Sequence, residues 1–133
     1  MAESFPVDVV AADREVWIGR ATQVIATTTE GEIGILAGHI PTIATLAPGS
    51  AEITTEDGGR EVIAVDGGFL SVSATQVAII SPYAQLAQEL SLPAAEKALR
   101  DAAAKREEGD NSLDTQRQFN RALAQVKAAR KRG

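Results

Sequence analysis

The chain has 133 residues, of which 44% are hydrophobic, and carries a formal net charge of −5 at pH 7. Its lack of cysteine and its single histidine exclude a disulfide framework, a thiolate metal centre and a two-histidine metal site. No window approaches the roughly 20 apolar residues of a membrane-spanning helix. The opening Met-Ala-Glu-Ser-Phe lacks the basic and apolar regions of a signal peptide. These features predict a soluble protein of a cytosol-like compartment.

Charge is distributed unevenly along the chain. Residues 1–83 contain three arginines against eleven acidic residues, a net charge of −8. Residues 84–133 contain ten basic residues against seven acidic ones, a net charge of +3. Such asymmetry between two halves predicts two structural units, 1–83 and 84–133, that have different partners.

The first unit has the pattern of short strands. Phe5, Val7 and Val9 alternate with polar positions, as in a half-buried strand. The stretch 30–49 holds four glycines and two prolines and predicts tight corners between short strands. Glu56-Asp57-Gly58-Gly59 predicts a hairpin turn. An antiparallel β-sandwich or barrel is therefore predicted. Its strands are expected over residues 5–10, 16–18, 23–29, 51–54, 60–66, 69–72 and 76–80.

From residue 84 onward no strand is predicted, and alanine dominates. Ser91 is placed to cap a first helix with Pro93 in its first turn, and Gly109 is placed to end it. Asp110-Asn111-Ser112 then supplies turn and cap residues for a second helix. The short connection predicts an antiparallel two-helix hairpin.

The apolar face predicted for this hairpin is thin. Leu92, Ala95, Leu99 and Ala102 mark it on the first helix, and Phe119, Leu123 and Val126 mark it on the second. Such a face suits a helix pair that undocks without melting, and it equally suits a permanently docked appendage.

The sequence offers no catalytic or metal site. His39 lies in a predicted turn, where an imidazole most often forms a local hydrogen bond. The pairs Gly58-Gly59 and Gly67-Gly68 lack the lysine and the spacing of a phosphate loop. Acidic residues are scattered singly, so that no general acid and base pair is indicated. We therefore predict that the protein is not itself an enzyme and needs no metal.

The order of residues in the Gly- and Pro-rich stretch carries more information than its composition. Residues 30–41 read Glu-Gly-Glu-x-Gly-Ile-x-x-Gly-His-x-Pro, and residues 46–49 close the stretch with Leu-x-Pro-Gly. Together with Val-Asp-Val-Val at 7–10 and Val-Asp-Gly-Gly-Phe-Leu at 65–70, this resembles the epsilon subunit of F-type ATP synthases. The resemblance spans nearly the whole chain.

The resemblance implies a non-catalytic rotor subunit in a proton-translocating ATP synthase. In that family an N-terminal β-sandwich sits on the gamma subunit and rests on the polar loops of the membrane c-ring. The helical hairpin either lies on the sandwich or extends into the α/β catalytic head, where it opposes ATP hydrolysis. The chain would then be peripheral, at the cytoplasmic face of a bacterial membrane or at the equivalent face of a chloroplast-type complex.

Particular positions follow from the resemblance. Those matching the ring-facing loop are Glu30, Gly31, Glu32 and His39. The cations expected to meet the catalytic head are Lys127, Arg130, Lys131 and Arg132. A solvated tail that is kept soluble by these charges is the alternative for the second group.

Nucleotide binding is expected to be weak at best. Some bacterial relatives hold ATP between the helices with an Asp-x-x-Arg pattern and two further arginines. Here the first pattern aligns with Ser91 and Ala94, whereas Arg121 matches one arginine and Gln125 replaces the other.

The competing class is a free-standing adaptor that presents a helix pair to another protein or to an anionic surface. Nucleic acid is not predicted as a partner, because the sandwich is acidic and the basic tail lacks aromatic stacking residues.

Overall fold

The computed structural model describes residues 3–132, which form a β-sandwich followed by two helices. The strands are β1 (Phe5–Ala11), β2 (Glu15–Thr28), β3 (Gly31–Ile35), β4 (Thr42–Thr55), β5 (Arg60–Val65), β6 (Phe69–Val72), β7 (Val77–Ser81) and β8 (Ala84–Leu86). A 3₁₀ turn, Ala87–Glu89, leads into the helices α1 (Leu92–Glu107) and α2 (Leu113–Lys131).

Two long strands close the sandwich. β2 and β4 span 14 residues each and change partners along their length. β2 pairs first with β1 and then with β3 and β4, whereas β4 pairs first with β6 and then with β5 and β2. β6 pairs with β7, which in turn pairs with β1. The strands β1, β2, β4, β6 and β7 therefore form a closed ring, which β3, β5 and β8 extend.

The predicted β-sandwich with a C-terminal helix pair is confirmed, and its strand pairs are antiparallel with one exception. β1 and β7 run parallel, with Val7 opposite Val77 and Ala11 opposite Ser81. The sequence does not reveal this pair, because side chains alternate between the two faces in the same way in both orientations.

Two strands continue where breaks were predicted. The segments 16–18 and 23–29 belong to the single strand β2, which runs through Gly19. A Cβ at Gly19 would lie 2.9 Å from the Trp17 ring, so this glycine makes room for an aromatic side chain within a strand. β4 likewise runs through Pro48, which lies between its β6-paired and β5-paired parts. The β2–β4 pairing is also irregular here, between Leu46 and Ala51, so the missing N–H of this proline falls where no registered pair requires it.

The core of the sandwich is aliphatic. Its largest fully buried side chains include Ile53, Ile63, Leu70 and Ile79, whereas Phe5 and Trp17 only border it. Each such aliphatic side chain contributes about 1.5–3 kcal/mol to folding. Every residue of this core lies between Phe5 and Leu86, so the sandwich is built without help from the helices.

The helix boundaries follow the caps that the sequence predicts. The Ser91 hydroxyl accepts a hydrogen bond from the Ala94 N–H at 3.3 Å, and the Ser112 hydroxyl accepts one from the Thr115 N–H at 3.2 Å. Gly109 adopts φ +94° just after α1, a conformation that favours glycine. Asp110 accepts hydrogen bonds from the Thr115 hydroxyl and the Ser112 N–H, which lower the pKa of its carboxyl to about 2.

The residues just before the helices differ from the expectation. No strand was predicted after residue 83, but Ala84–Leu86 form β8, which pairs with the outer edge of β5. The segment is too short and too rich in helix formers for its strand character to be read from pattern. The predicted unit 84–133 thus opens with residues that extend the sheet.

The helices dock through alanines. α2 packs on β4 and β5, and α1 packs on α2. Ala124 and Ala128 of α2 are fully buried in one cluster with Val62, Ala64 and Ala87.

The apolar face predicted for α2 was therefore only partly right. Val126 is buried, but Leu123 is half-buried and Phe119 is half-buried with the Arg106 guanidinium 4.2 Å from its ring centre. The buried cluster against β5 contains Ala124 and Ala128 of α2 rather than these larger apolar residues, and such small side chains let the helix backbone approach closely.

Candidate functional site

The turn after β2 and the first residues of β3 hold Glu30, Gly31 and Glu32 in exposed positions. The Thr28 hydroxyl donates to the Gly31 carbonyl oxygen at 2.6 Å and accepts from the Glu30 N–H at 3.1 Å. Gly31 has φ +120°, which requires a glycine in practice. Local hydrogen bonds therefore fix this turn, which we call the acidic turn. Its two carboxylates are exposed, and that of Glu32 lies 3.8 Å from Lys131 Nζ.

His39 lies at the opposite end of β3. It belongs to the loop between β3 and β4. There its ring Nδ1 donates to the Ile40 carbonyl oxygen at 2.8 Å, and its backbone N–H donates to the Leu36 carbonyl oxygen at 3.1 Å. The five-residue strand β3 separates this loop from the acidic turn by about 13 Å, at roughly 3.3 Å per residue. The structure therefore brings Glu30, Gly31 and Glu32 together but not His39.

The C-terminal cations make contacts within the docked protein. Arg130 forms an ion pair with Glu96 of α1 at 3.1 Å. Lys131 reaches Glu52 of β4 at 3.1 Å and Glu32 of the acidic turn at 3.8 Å. Arg132 donates to the carbonyl oxygens of Ala87 and Leu90, at the 3₁₀ turn.

Lys127 differs from these three cations. Its side chain lies over β4, with Cδ 3.8 Å from where a Cβ at Gly49 would stand. Of the four cations predicted to meet the catalytic head, Lys131 and Arg132 contact residues outside the hairpin, and Lys131 bridges to the acidic turn. Arg130 instead joins the two helices to each other.

Glu52 is the carboxylate on which two of these contacts converge. Arg60 forms an ion pair with one of its oxygens, and Lys131 donates to the other at 3.1 Å. The hydrogen bond from Arg60, together with that from Lys131, holds the pKa of Glu52 below its ordinary value, although partial burial acts in the opposite direction. The group is therefore charged at neutral pH and joins α2 to the β4–β5 hairpin.

Tyr83, which the sequence analysis did not single out, links the sandwich to α2. Gln125 Nε2 donates to the Tyr83 hydroxyl at 2.9 Å, and that hydroxyl donates to Gln85 Oε1 at 2.5 Å. The Arg121 guanidinium lies 4.5 Å from the centre of the Tyr83 ring, a cation–π contact. Burial raises the pKa of Tyr83, which stays protonated and able to donate. The available signal was that the only tyrosine of the chain falls at the junction of the two predicted units.

The Arg121 guanidinium thus already has a partner in the docked protein, the ring of Tyr83. It also borders an open cleft of about 300 Å³ between α1 and α2, lined in addition by Asp101, Lys105, Gln118 and Gln125. The residues Ser91 and Ala94, aligned with the first nucleotide pattern, instead form the N-terminal cap of α1.

One outer face of the sandwich exposes large hydrophobic side chains. Ile18, Ile43, Phe69 and Ile80 are 65%, 78%, 53% and 52% exposed. Their strand neighbours Leu70 and Ile79 are fully buried, so the alternation of the strands turns Phe69 and Ile80 outward.

The strand registers place these residues on one continuous surface. Phe69 lies opposite Ile80, and Ile43 lies opposite Ser71 on the same sheet. Ile18 of β2 lies on the same surface, because β1 pairs with β2 on one side and with β7 on the other. We call these four residues the apolar sheet face. The sequence analysis did not identify it, because an apolar residue in a short strand is read as core unless its neighbours on the sheet are known.

Two further findings concern the described residues. Within residues 3–132, no three His, Asp or Glu side chains are grouped as metal ligands would be. Neither described helix has the length and apolar character needed to cross a membrane.

The family model described as "ATP synthase, Delta/Epsilon chain, beta-sandwich domain" matches residues 4–87, and the match ends in the 3₁₀ turn before α1. The ATP synthase epsilon chain of Cutibacterium acnes is 45% identical over 136 aligned positions, covering 96% of this chain and 92% of the relative. The epsilon chain of Rhodococcus opacus is 48% identical over 103 positions, covering 77% of this chain and 84% of the relative.

Solved structures agree with these matches. A chain in the cryo-EM structure of the Euglena gracilis mitochondrial ATP synthase, titled OSCP/F1/c-ring, superposes with a TM-score of 0.77 at 27% identity, covering 97% of this chain and 81% of that one. A chain from the Tetrahymena thermophila mitochondrial ATP synthase central stalk and c-ring shares the fold, with a TM-score of 0.55 at 16% identity. The superposition covers 98% of this chain and 97% of that one. Sequence and structure together establish that this chain belongs to the ATP synthase epsilon chain family.

Proposed function

We propose that the chain is a non-catalytic rotor subunit in the central stalk of a proton-translocating ATP synthase. It couples c-ring rotation to ATP synthesis through the gamma subunit. The family relationship supports this role, as does the structural likeness to a chain of the Euglena gracilis OSCP/F1/c-ring assembly. No observation favours the free-standing adaptor over it.

The apolar sheet face is the observation that carries the proposal. A protein that acts alone rarely exposes large hydrophobic side chains in one continuous patch, and such patches mark binding surfaces. Gamma binds there, and the c-ring loops meet the acidic turn through Glu30 and Glu32. A rotor subunit needs two separate surfaces of this kind, one for the shaft and one for the ring.

Co-purification with gamma tests this role. The wild-type chain should retain gamma, whereas Ile43→Asp should lose it, because the new charge would be desolvated at the centre of the contact. Leu113→Asp is the matched control: Leu113 is 65% exposed at the hairpin tip, outside the apolar sheet face. Retention of gamma by Ile43→Asp, or its loss from Leu113→Asp, contradicts the assignment of this face.

The hairpin is proposed to restrain ATP hydrolysis by leaving the sandwich and entering the α/β head. The contacts of Lys131 and Arg132 belong to the docked state, so the head must supply acidic groups and acceptors in exchange. Exposed ion pairs contribute only about 0–1 kcal/mol each. The ion pairs therefore add little to the docked state, which rests on the small alanine contact and on Tyr83, and the head is proposed to outcompete these contacts.

The remaining parts of the proposal concern ligands and location. ATP binding is proposed to be weak, since Arg121 lies on Tyr83 and Gln125 donates to the Tyr83 hydroxyl. The chain itself needs no cofactor for its role. As part of the complex it is proposed to lie peripherally at the cytoplasmic face of the bacterial cell membrane.

A further inference from the structure

Asp8 occupies an unusual position on the apolar sheet face. It lies in the middle of β1, where the registers set it between Ile18 of β2 and Ala78 of β7. Its strand neighbours Val7 and Val9 are fully buried, so the alternation of β1 turns Asp8 toward the outer face. Aspartate is disfavoured within strands, and here it lies on the same outer face as the exposed Ile18, Ile43, Phe69 and Ile80.

One of the two oxygens of the Asp8 carboxylate is unsatisfied in the isolated protein. Oδ1 is shielded from solvent, and no group within residues 3–132 donates a hydrogen bond to it. A carboxylate oxygen that is buried without a donor is costly, because it loses the hydrogen bonds that water supplies. The side chain is nevertheless only half-buried, so a partner that covers this face can place a donor against the rest of the carboxylate and offset that cost.

We propose that Asp8 is the polar anchor of the contact with the rotor partner. The partner surface is apolar where it covers Ile43 and Phe69, and it places one Arg or Lys side chain against Asp8. This inference rests on the proposed function, and it adds the chemistry that the gamma surface must present.

The charge of the carboxylate selects a cation over a neutral donor. A charge-assisted hydrogen bond is about twice as strong as a neutral one, and it gains further when docking excludes water. A single ion pair within an apolar contact also fixes orientation, because any shifted arrangement leaves both charges buried without partners. Asp8 therefore sets how the sandwich is turned on its partner.

The test measures the affinity of the full chain for the purified gamma subunit at low and high salt. Asp8→Asn keeps the size of the side chain and one acceptor oxygen but removes the charge. We expect it to weaken binding at least tenfold, equivalent to about 1.4 kcal/mol, and to reduce the salt dependence. Asp8→Val should weaken binding at least as much, because it leaves the partner's cation buried alone.

Stability of the free chain separates anchoring from folding. Asp8→Val should not lower the urea midpoint of the free chain, since it removes an unsatisfied acceptor and introduces a good strand former. Glu107→Gln, at an exposed position on α1, removes one charge outside the apolar sheet face. It should change neither the affinity for gamma nor the urea midpoint of the free chain.

The outcomes separate the two proposals. Unchanged affinity of Asp8→Asn, or tighter binding by Asp8→Val, overturns the anchor while leaving the proposed function intact. A wild-type chain that fails to bind gamma contradicts the proposed function itself.

Discussion

Tyr83 shows how one side chain joins the two parts of the molecule. Its ring lies against Arg121, and its hydroxyl accepts from Gln125 while donating to Gln85. The residue does not lie in a helix or strand, so no periodicity signals its role. Partners such as Gln125, 42 positions away, are brought near only by the fold. Sequence patterns therefore cannot reveal this contact.

Tyr83→Phe tests the polar half of the contact. Phenylalanine keeps the ring beside Arg121 but leaves Gln125 without its acceptor. We expect the free energy of unfolding to fall by about 1 kcal/mol, the usual value of one hydrogen bond. Urea denaturation followed by circular dichroism measures it. An unchanged midpoint would show that water replaces the hydroxyl at no cost.

Glu52 gives the docked state a dependence on pH. Its pKa is lower in the folded protein than the ordinary value of 4.5, owing mainly to hydrogen bonds from Arg60 and Lys131. The resulting stabilisation is present above pH 4.5 and is lost as the pH falls through the lowered pKa. Glu52→Gln should therefore be less stable than wild type at pH 7, and the difference should disappear in strong acid.

Denaturation curves across this pH range provide the measurement. Asp13→Asn serves as the control, since Asp13 is exposed and forms no ion pair within the described part of the chain. A Glu52→Gln deficit that persists unchanged in acid would mean that packing, not charge, explains the loss.

At the scale of elements, capping chemistry was predictable and packing faces were not. Ser91, Gly109 and Ser112 mark the helix ends because local hydrogen bonds and φ angles depend on adjacent residues. The docking face of α2 is formed by alanines in an alanine-rich helix, so the hydrophobic pattern barely varies around it. Pro48 was read as a corner, but lies where β4 changes partners, a feature that only the whole sheet determines.

Ala124→Leu should loosen the hairpin. Ala124 is fully buried against Val62 and Ala64, and added atoms in a packed contact cost about 1–3 kcal/mol. We expect faster hydrogen exchange in α2 while the amides of the sandwich core keep their protection. Ala104→Leu, at an exposed position on α1, is the matched control. If the α2 amides are equally protected from hydrogen exchange in both variants, the contact between α2 and the sheet accommodates the larger side chain without strain.

At the scale of the whole molecule, the expected division into sandwich and hairpin can be tested by truncation. Deleting everything after Ser91 should leave a folded sandwich that still binds gamma, because the main core ends at Leu86. ATP hydrolysis by the assembled complex should rise, and proton-driven synthesis should persist. Hydrolysis rates and gamma retention give the readout. Unchanged hydrolysis would contradict the proposed restraint and would mean that the hairpin has only a structural role.

Opposite effects on hydrolysis distinguish the two states of the hairpin. Alanine at Lys127, Arg130, Lys131 and Arg132 removes all four cations proposed to meet the head, whereas only Lys131 and Arg132 have contacts outside the hairpin in the docked state. The loss at the head should therefore be the larger, and hydrolysis should rise, most visibly at low salt. Glu52→Gln weakens only the docked state and should lower hydrolysis. A full population reversal needs about 5.5 kcal/mol, so each single change should act partially. Hydrolysis that rises in both variants would contradict the competition between states.

The parallel pair of β1 and β7 has a consequence for how the chain acquires its structure. It joins the first strand to one that follows 70 residues later, with Val7 opposite Val77. Contacts between such distant residues require a large loop to close, which slows folding. During synthesis, one edge of β1 stays unpaired until Ser81 has left the ribosome. The nascent sandwich therefore presents an open strand edge to neighbouring chains, and completion of β7 removes this risk of aggregation.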